Sequence, residues 1–242
     1  MRYLVLIVIL LYTVYQGQAQ ETATLNSKWS LEALFSPNFS YRILTNSGSE
    51  KWLKEERERT EIGRLGYSAR FMINYHLHER WHLGFGAAYS SIGYNTRPTS
   101  IAWNASINNA PTTLRMSNRY SYVGIYLLGN YQLIQHKRWG GYLTFGAIMN
   151  TYLDKNLLTE IQTNGQWTSS DNWGFEYDRH SLFVLAGIGG SYRLIQGLHL
   201  VVNLNFSQAL MPNSSSSRTQ EFLNSLNLDL GLNYRFQGKK KE

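Results

Sequence analysis

Eight stretches of this 242-residue chain carry an apolar or aromatic residue at every second position. They run over 28–44, 65–77, 81–95, 119–134, 139–153, 180–194 and 198–210, with a last one that begins near Arg218. Successive side chains of a β-strand point to opposite faces, so each stretch reads as a strand with one apolar and one polar face. The last stretch, "LNLDLGLNYRF" (226–236), shows it plainly: Leu226, Leu228, Leu230, Leu232, Tyr234 and Phe236 share one face. A soluble sandwich alternates in the same way. The strands alone do not decide what the leucines face.

The connectors decide it. The second and third strands are joined by about "HER", the fourth and fifth by "QHKR", the sixth and seventh by "IQG". The other four connectors are longer, covering roughly 45–63, 96–118, 154–178 and 211–217. Short turns alternate strictly with long loops. Outer-membrane barrels have short periplasmic turns and longer external loops. Three turns and four loops require eight strands, with both ends of the chain on the periplasmic side. The expected fold is all-β: an eight-stranded antiparallel up-and-down transmembrane β-barrel.

The beginning of the chain agrees with export. "MRYLVLIVILLYTVYQGQAQ" has a basic Arg2, an apolar run from Tyr3 to Val14 and small residues at Gly17 and Ala19. This is the pattern of a secretory signal peptide, expected to span 1–19 with cleavage after Ala19. Residues 20–242 would then form one outer-membrane β-barrel domain. No later stretch is apolar for long enough to cross a bilayer as a helix. With no Cys in the chain, lipoprotein anchoring, disulfides, thiolate metal sites and a Cys nucleophile are all excluded. Aromatic content is 14% and charged content only 16%, which suits a barrel. The formal charge is +7, part of it in the tail Lys239, Lys240 and Lys241. No basic stripe accompanies a nucleic-acid-binding motif, so nucleic acid is not an expected partner.

The aromatics fall at a consistent height. Trp29, Trp81 and Trp139 each open an upward strand, and Tyr75, Tyr131, Tyr192 and Tyr234 each lie near the end of a downward one. All seven are expected in a periplasmic-side girdle, where amphipathic rings bridge acyl chains and headgroups. The leucines of the last strand then face lipid. In that strand "DLGLNYRF" looks like the C-terminal β-signal by which the barrel-assembly machinery recognises its clients, with Asp229, Gly231, Tyr234 and Phe236 at the matching places. With the leader, the eight strands and "SPNFSYR" in the first of them, the chain resembles the outer-membrane β-barrel domain family of Gram-negative bacteria, porin-like or PorT-like. The resemblance implies the fold and an outer-membrane location, multi-pass. One member is linked to protein secretion across that membrane. Shape alone does not carry this role over.

With the apolar positions outward, Glu32, Arg70, Arg193, Asp229 and Arg235 point inward, along with Ser68, Asn74, Asn203, Asn205 and Asn233. Gly66, Gly84, Gly86, Gly187, Gly189 and Gly231 share that face and leave room for the long side chains. An eight-stranded barrel is just wide enough for side chains to fill it. The expectation is a lumen charge network in which Glu32 and Asp229 neutralise some of Arg70, Arg193 and Arg235. "HLHERWH" (76–82) is dense in metal-ligand types, but it spans a turn where polar residues belong. His180-Ser181 lacks a supporting catalytic constellation. No catalytic residue, metal site or cofactor is therefore assigned, and the chain is not read as an enzyme.

The loops are the other candidate site. The charge-dense 49–62 suits a short external helix, and Asn164-Gly165 is a strong hairpin signal at the tip of a continued strand pair. Trp103, Trp167, Trp173, Phe175 and Tyr177 are candidate contacts for an extracellular glycan or protein ligand. Other expected partners are outer-membrane lipid and the barrel-assembly machinery. The expected role is structural or binding, through the loops. The alternatives are a narrow porin, transport or secretion-associated channel, and, less favoured, a lipid-modifying barrel enzyme. If the last strand carries an assembly signal, Tyr234→Ala with Phe236→Ala should lower the folded fraction in outer membranes far more than Phe206→Ala. Equal loss from both variants, read by heat-dependent gel mobility, would remove the signal.

Overall fold

The computed structural model describes residues 28–46, 51–103, 110–172, 180–212 and 219–236. Ten strands and one helix are found among them: β1 (Trp29–Asn46), α1 (Lys51–Thr60), β2 (Glu61–His76), β3 (Trp81–Thr96), β4 (Thr99–Ser100), β5 (Thr113–Gln135), β6 (Trp139–Thr163), β7 (Gln166–Asn172), β8 (His180–Ile195), β9 (Leu198–Ala209) and β10 (Thr219–Arg235). All pairings are antiparallel. Eight strands close in the order β1-β2-β3-β5-β6-β8-β9-β10, with β10 back against β1. Closure leaves the ring no free edge, as lipid demands of every backbone polar group. Tight turns join β2 to β3, β5 to β6 and β8 to β9, all at one end. Gly197 in the last of these takes φ 82°, which a Cβ would disfavour.

The strands are longer than the alternation alone marks. β2 begins at Glu61, directly where α1 ends, and β5 and β6 continue well above the membrane band. Their ladder runs on from Ser121↔Asp154 to Thr113↔Gln162. β7 folds back on β6 through Asn164 and Gly165, both at positive φ, and β4 pairs with the start of β5. The expected loop 96–118 is thus partly sheet, because polar Ser, Thr and Asn positions pair as well there as apolar ones do, while 154–172 forms the continued strand pair expected to reach a tip at Asn164-Gly165. The helix lies inside the charge-dense segment and is braced by the i,i+4 pairs Lys51–Glu55 and Lys54–Glu58.

The apolar positions do turn outward. Phe35, Phe71, Phe85, Leu127, Ile188 and Leu228 are exposed on the outer wall, where they form the apolar band of a membrane barrel. Pro37 sits outward on β1. It has no N–H to donate, and the β1–β10 ladder opens there. Pairing stops at Phe35↔Leu230 and resumes at Asn38↔Asn227 in the same register.

The inner face differs from expectation in its outer half. Met72, Tyr94, Tyr120, Tyr126, Ile148 and Phe183 belong to an apolar and aromatic cluster buried inside the barrel. β5 contributes most to it, being apolar on both faces: Tyr120, Tyr122, Tyr126 and Leu128 turn in, while Val123, Ile125 and Leu127 turn out.

The lumen is filled by matching small residues to long ones. A Cβ on Gly187 would collide with Oδ1 of Asn205 and with the backbone of Leu204, and one on Gly189 with Asn203 and the Tyr142 ring. Gly187→Val should therefore cost about 1–3 kcal/mol of barrel stability by overpacking. A urea unfolding series in lipid vesicles measures it; an unchanged midpoint would show that the wall yields.

Candidate functional site

Asp229 of β10 is the centre of the lumen and is almost wholly buried. Four side chains from three other strands donate to it. Ser36 of β1 gives its hydroxyl at 2.6 Å, and Arg70 of β2 gives Nη2 as a short charge-assisted bond. From β9, Asn205 Nδ2 lies at 2.6 Å and Asn203 Nδ2 at 3.5 Å. The guanidinium of Arg70 also stands over the Tyr126 ring, 5.1 Å from its centroid. Glu32 accepts from Asn233 Nδ2 at 3.0 Å. Tyr142 donates to Oδ1 of Asn203 at 2.6 Å and so joins β6 to the same network.

The expected charge network is only partly assembled. Arg70 and Asp229 pair, and Glu32 lies on the wall beside them. Arg193 and Arg235 do not enter this centre; both line the mouth at the turn end. The reason is distance along the strand. Arg235 follows Asp229 by six residues, roughly 20 Å at the rise of a β-strand. Sharing a face does not bring two residues to one height.

Sequence reasoning missed a second charged cluster at the opposite end. Arg42 of β1 donates Nε to Glu61 at 2.9 Å and lies 2.6 Å from Glu221 of β10. It also stacks 3.9 Å from the Tyr94 centroid. Arg57 of α1 reaches Glu221 at 3.7 Å and ties the helix to the rim. Arg42 has the same parity on β1 as Glu32, which is the signal that would have found it. Glu61 was hidden because its segment read as loop.

The girdle residues fall together at the turn end. Trp29 stands opposite Tyr75, Trp81 opposite Tyr131 and Trp139 opposite Tyr192. The first two pairs have ring centroids 4.7 and 4.9 Å apart. Tyr234 faces outward with Phe236 edge-on at 5.6 Å. Gly231 turns inward, so close beneath the Ala33 carbonyl that a Cβ would collide with it.

Among the loop aromatics, Trp103 donates Nε1 to the Pro111 carbonyl at 2.6 Å. Trp167 of β7 packs under Arg115, 4.4 Å from the guanidinium, and remains 39% exposed. Arg115 is itself held by Glu160 through Nε at 2.6 Å and Nη2 at 2.8 Å. That hydrogen-bonded guanidinium holds the Glu160 carboxyl below its ordinary range. Trp173, Phe175 and Tyr177 lie outside the described residues. His76 and His82 face one another with ring centroids 4.2 Å apart. Among the described residues, no three ligating side chains converge as a metal site would require. His180 and Ser181, as neighbours on one strand, point to opposite faces: His180 is exposed and Ser181 buried.

A closed ring of eight strands with an apolar outer wall and a side-chain-filled lumen defines an integral outer-membrane β-barrel. The chain belongs to the family of the outer membrane protein β-barrel domain, which matches residues 15–215. Among solved structures it is similar to OprG from Pseudomonas aeruginosa, at 11% identity over 88% of this chain and 97% of that one, with a TM-score of 0.48. It is also similar to AlkL in DMPC lipid bilayers, at 13% identity over 93% and 97%, TM-score 0.46. Neisserial surface protein A is similar at 13% identity over 87% and 98%, TM-score 0.41. No curated protein matches the chain.

Removing Asp229 strands a buried guanidinium. Asp229→Ala should destabilise the barrel by about 3–5 kcal/mol. Glu55→Ala, which breaks one exposed helix pair, should cost about 0–1 kcal/mol. Equal unfolding midpoints for the two variants would mean that Asp229 does not hold the lumen together.

Proposed function

We propose that this outer-membrane barrel is closed to solutes and serves a structural or binding role through the sheet and loops above the membrane. The observation that carries the reading is the filling of the lumen. At mid-height the Arg70–Asp229 cluster spans the interior, with Asn203, Asn205 and Ser36 on it. On the loop side of it the remaining space is about 20 Å³, room for about one water. Beyond it lies the Tyr and Phe cluster, and then Arg42 between Glu61 and Glu221.

The binding part of the proposal rests on the projecting sheet of β4, β5, β6 and β7. Its paired strands hold Trp167 and Arg115 in fixed positions among Ser, Thr and Asn. An exposed indole stacked on a guanidinium suits the face of a glycan ring or an apolar side chain of a protein ligand. The opposite faces of His180 and Ser181 support a non-catalytic reading of that dipeptide.

The purified barrel in planar bilayers should give no steady conductance. Stable, salt-dependent single-channel steps from the wild type would overturn the closed lumen and favour a narrow channel.

A further inference from the structure

Below the Arg70–Asp229 cluster the lumen widens into a cup of about 690 Å³ that opens at the turn end. Its inner wall is one-sided in charge. Lys28, Lys137, Arg138, Arg193 and Arg235 line it, against the carboxylates of Glu32 and Glu79. Glu32 lies at the floor and already accepts from Asn233. Arg193 makes no ion pair among the described residues.

The histidines complete the wall. His76 stands opposite His82 across β2 and β3, and His199 opposite Arg193 across β9 and β8. Asn233 lies opposite His199, and Ser30 opposite Arg235. With the hydrogen bond between Ser30 Oγ and His76 Nε2 at 3.1 Å, these steps follow the ring from β8 through β9, β10, β1 and β2 to β3. The charge of Arg235 acts on all three imidazoles, and that of Arg193 on His199. The remaining wall, on β5 and β6, adds the neutral Asn130, Gln132, Tyr142 and Thr144.

A basic mouth has an ordinary explanation when its side chains point outward to lipid phosphates. Here the register turns Arg193, His199, Arg235, His76 and His82 inward, away from lipid, while Tyr192, Tyr75 and Tyr234 occupy the outward places between them. Arg193, which makes no ion pair among the described residues, turns its guanidinium into this confined cup, where an ion of opposite charge is favoured. Guanidinium forks match the oxygens of phosphate in geometry, and imidazoles donate to the same oxygens.

We propose that this cup is a binding site for a small multivalent oxyanion of the phosphate class, taken up from the periplasmic side between Arg193, His199 and Arg235 on one wall and His76 and His82 on the other. The site is independent of the loop role above, and its ligand is read by binding and not by conductance.

The test uses the full-length mature protein, folded in a zwitterionic detergent and titrated calorimetrically with sodium tripolyphosphate. Saturable binding is expected. Arg193→Gln should weaken it by about tenfold, the loss of one charge-assisted contact. Arg193 is exposed and outside the buried network, so the variant should keep its heat-dependent gel mobility. Lys51→Gln, on the helix at the far end, should bind as the wild type does. Absence of saturable binding, or equal affinity in Arg193→Gln and wild type, would overturn the proposal. A parallel titration with a short-chain phosphatidic acid separates the sources. Binding of that lipid without binding of tripolyphosphate would assign the cup to a headgroup and equally overturn it.

Discussion

Asp229 holds the barrel at the seam where it closes. The ring closes by pairing β1 with β10, the two strands farthest apart in the chain. Pro37 interrupts that ladder because it has no N–H to give, and the missing pairs are those of Ser36 with Asp229 and Pro37 with Leu228. Side chains replace them. Ser36 reaches across the gap to Asp229 at 2.6 Å, and Arg70 and Asn205 reach the same carboxylate from the strands on either side. A buried carboxylate is costly alone and stable with four donors. One side chain thus ties β2, β1, β10 and β9 together at the seam.

The rest of the lumen is layered around that tie. Toward the turns it is open, polar and basic; toward the loops it is aromatic, then ionic again at Arg42. The outer wall shows none of this. It is uniformly apolar over its middle, with Trp and Tyr rings gathered at the turn end. The polar half of each alternating strand carries the difference between one such barrel and another, while the apolar half answers only to lipid.

This split explains what was legible in the sequence. Strand number, topology and the outward residues followed from alternation and from connector length, because lipid enforces both. The inward identities followed only where the two faces contrasted, as in β10, with leucine against Asn, Asp and Gly. In β5 both faces are apolar, so Tyr120, Tyr122 and Tyr126 gave no sign of turning in. Height was the other hidden quantity. Stagger between neighbouring strands sets which inward residues meet. Asp229 meets Arg70 and not Arg235, and Arg42 meets Glu221, for reasons no single strand contains.

The hairpin above the membrane is continuous with the wall below it. The outward apolar face of β6 ends near Leu153, and the strand runs on to Thr163, roughly 30 Å further along its length. β5 accompanies it nearly to the end. A pull on the Asn164-Gly165 tip, directed away from the cell, therefore acts along the strands. Hydrogen bonds loaded in that direction resist together, as shear, and do not open one by one as in peeling. The tip is a mast stepped through the deck: whatever grips it is fastened to the barrel as a whole.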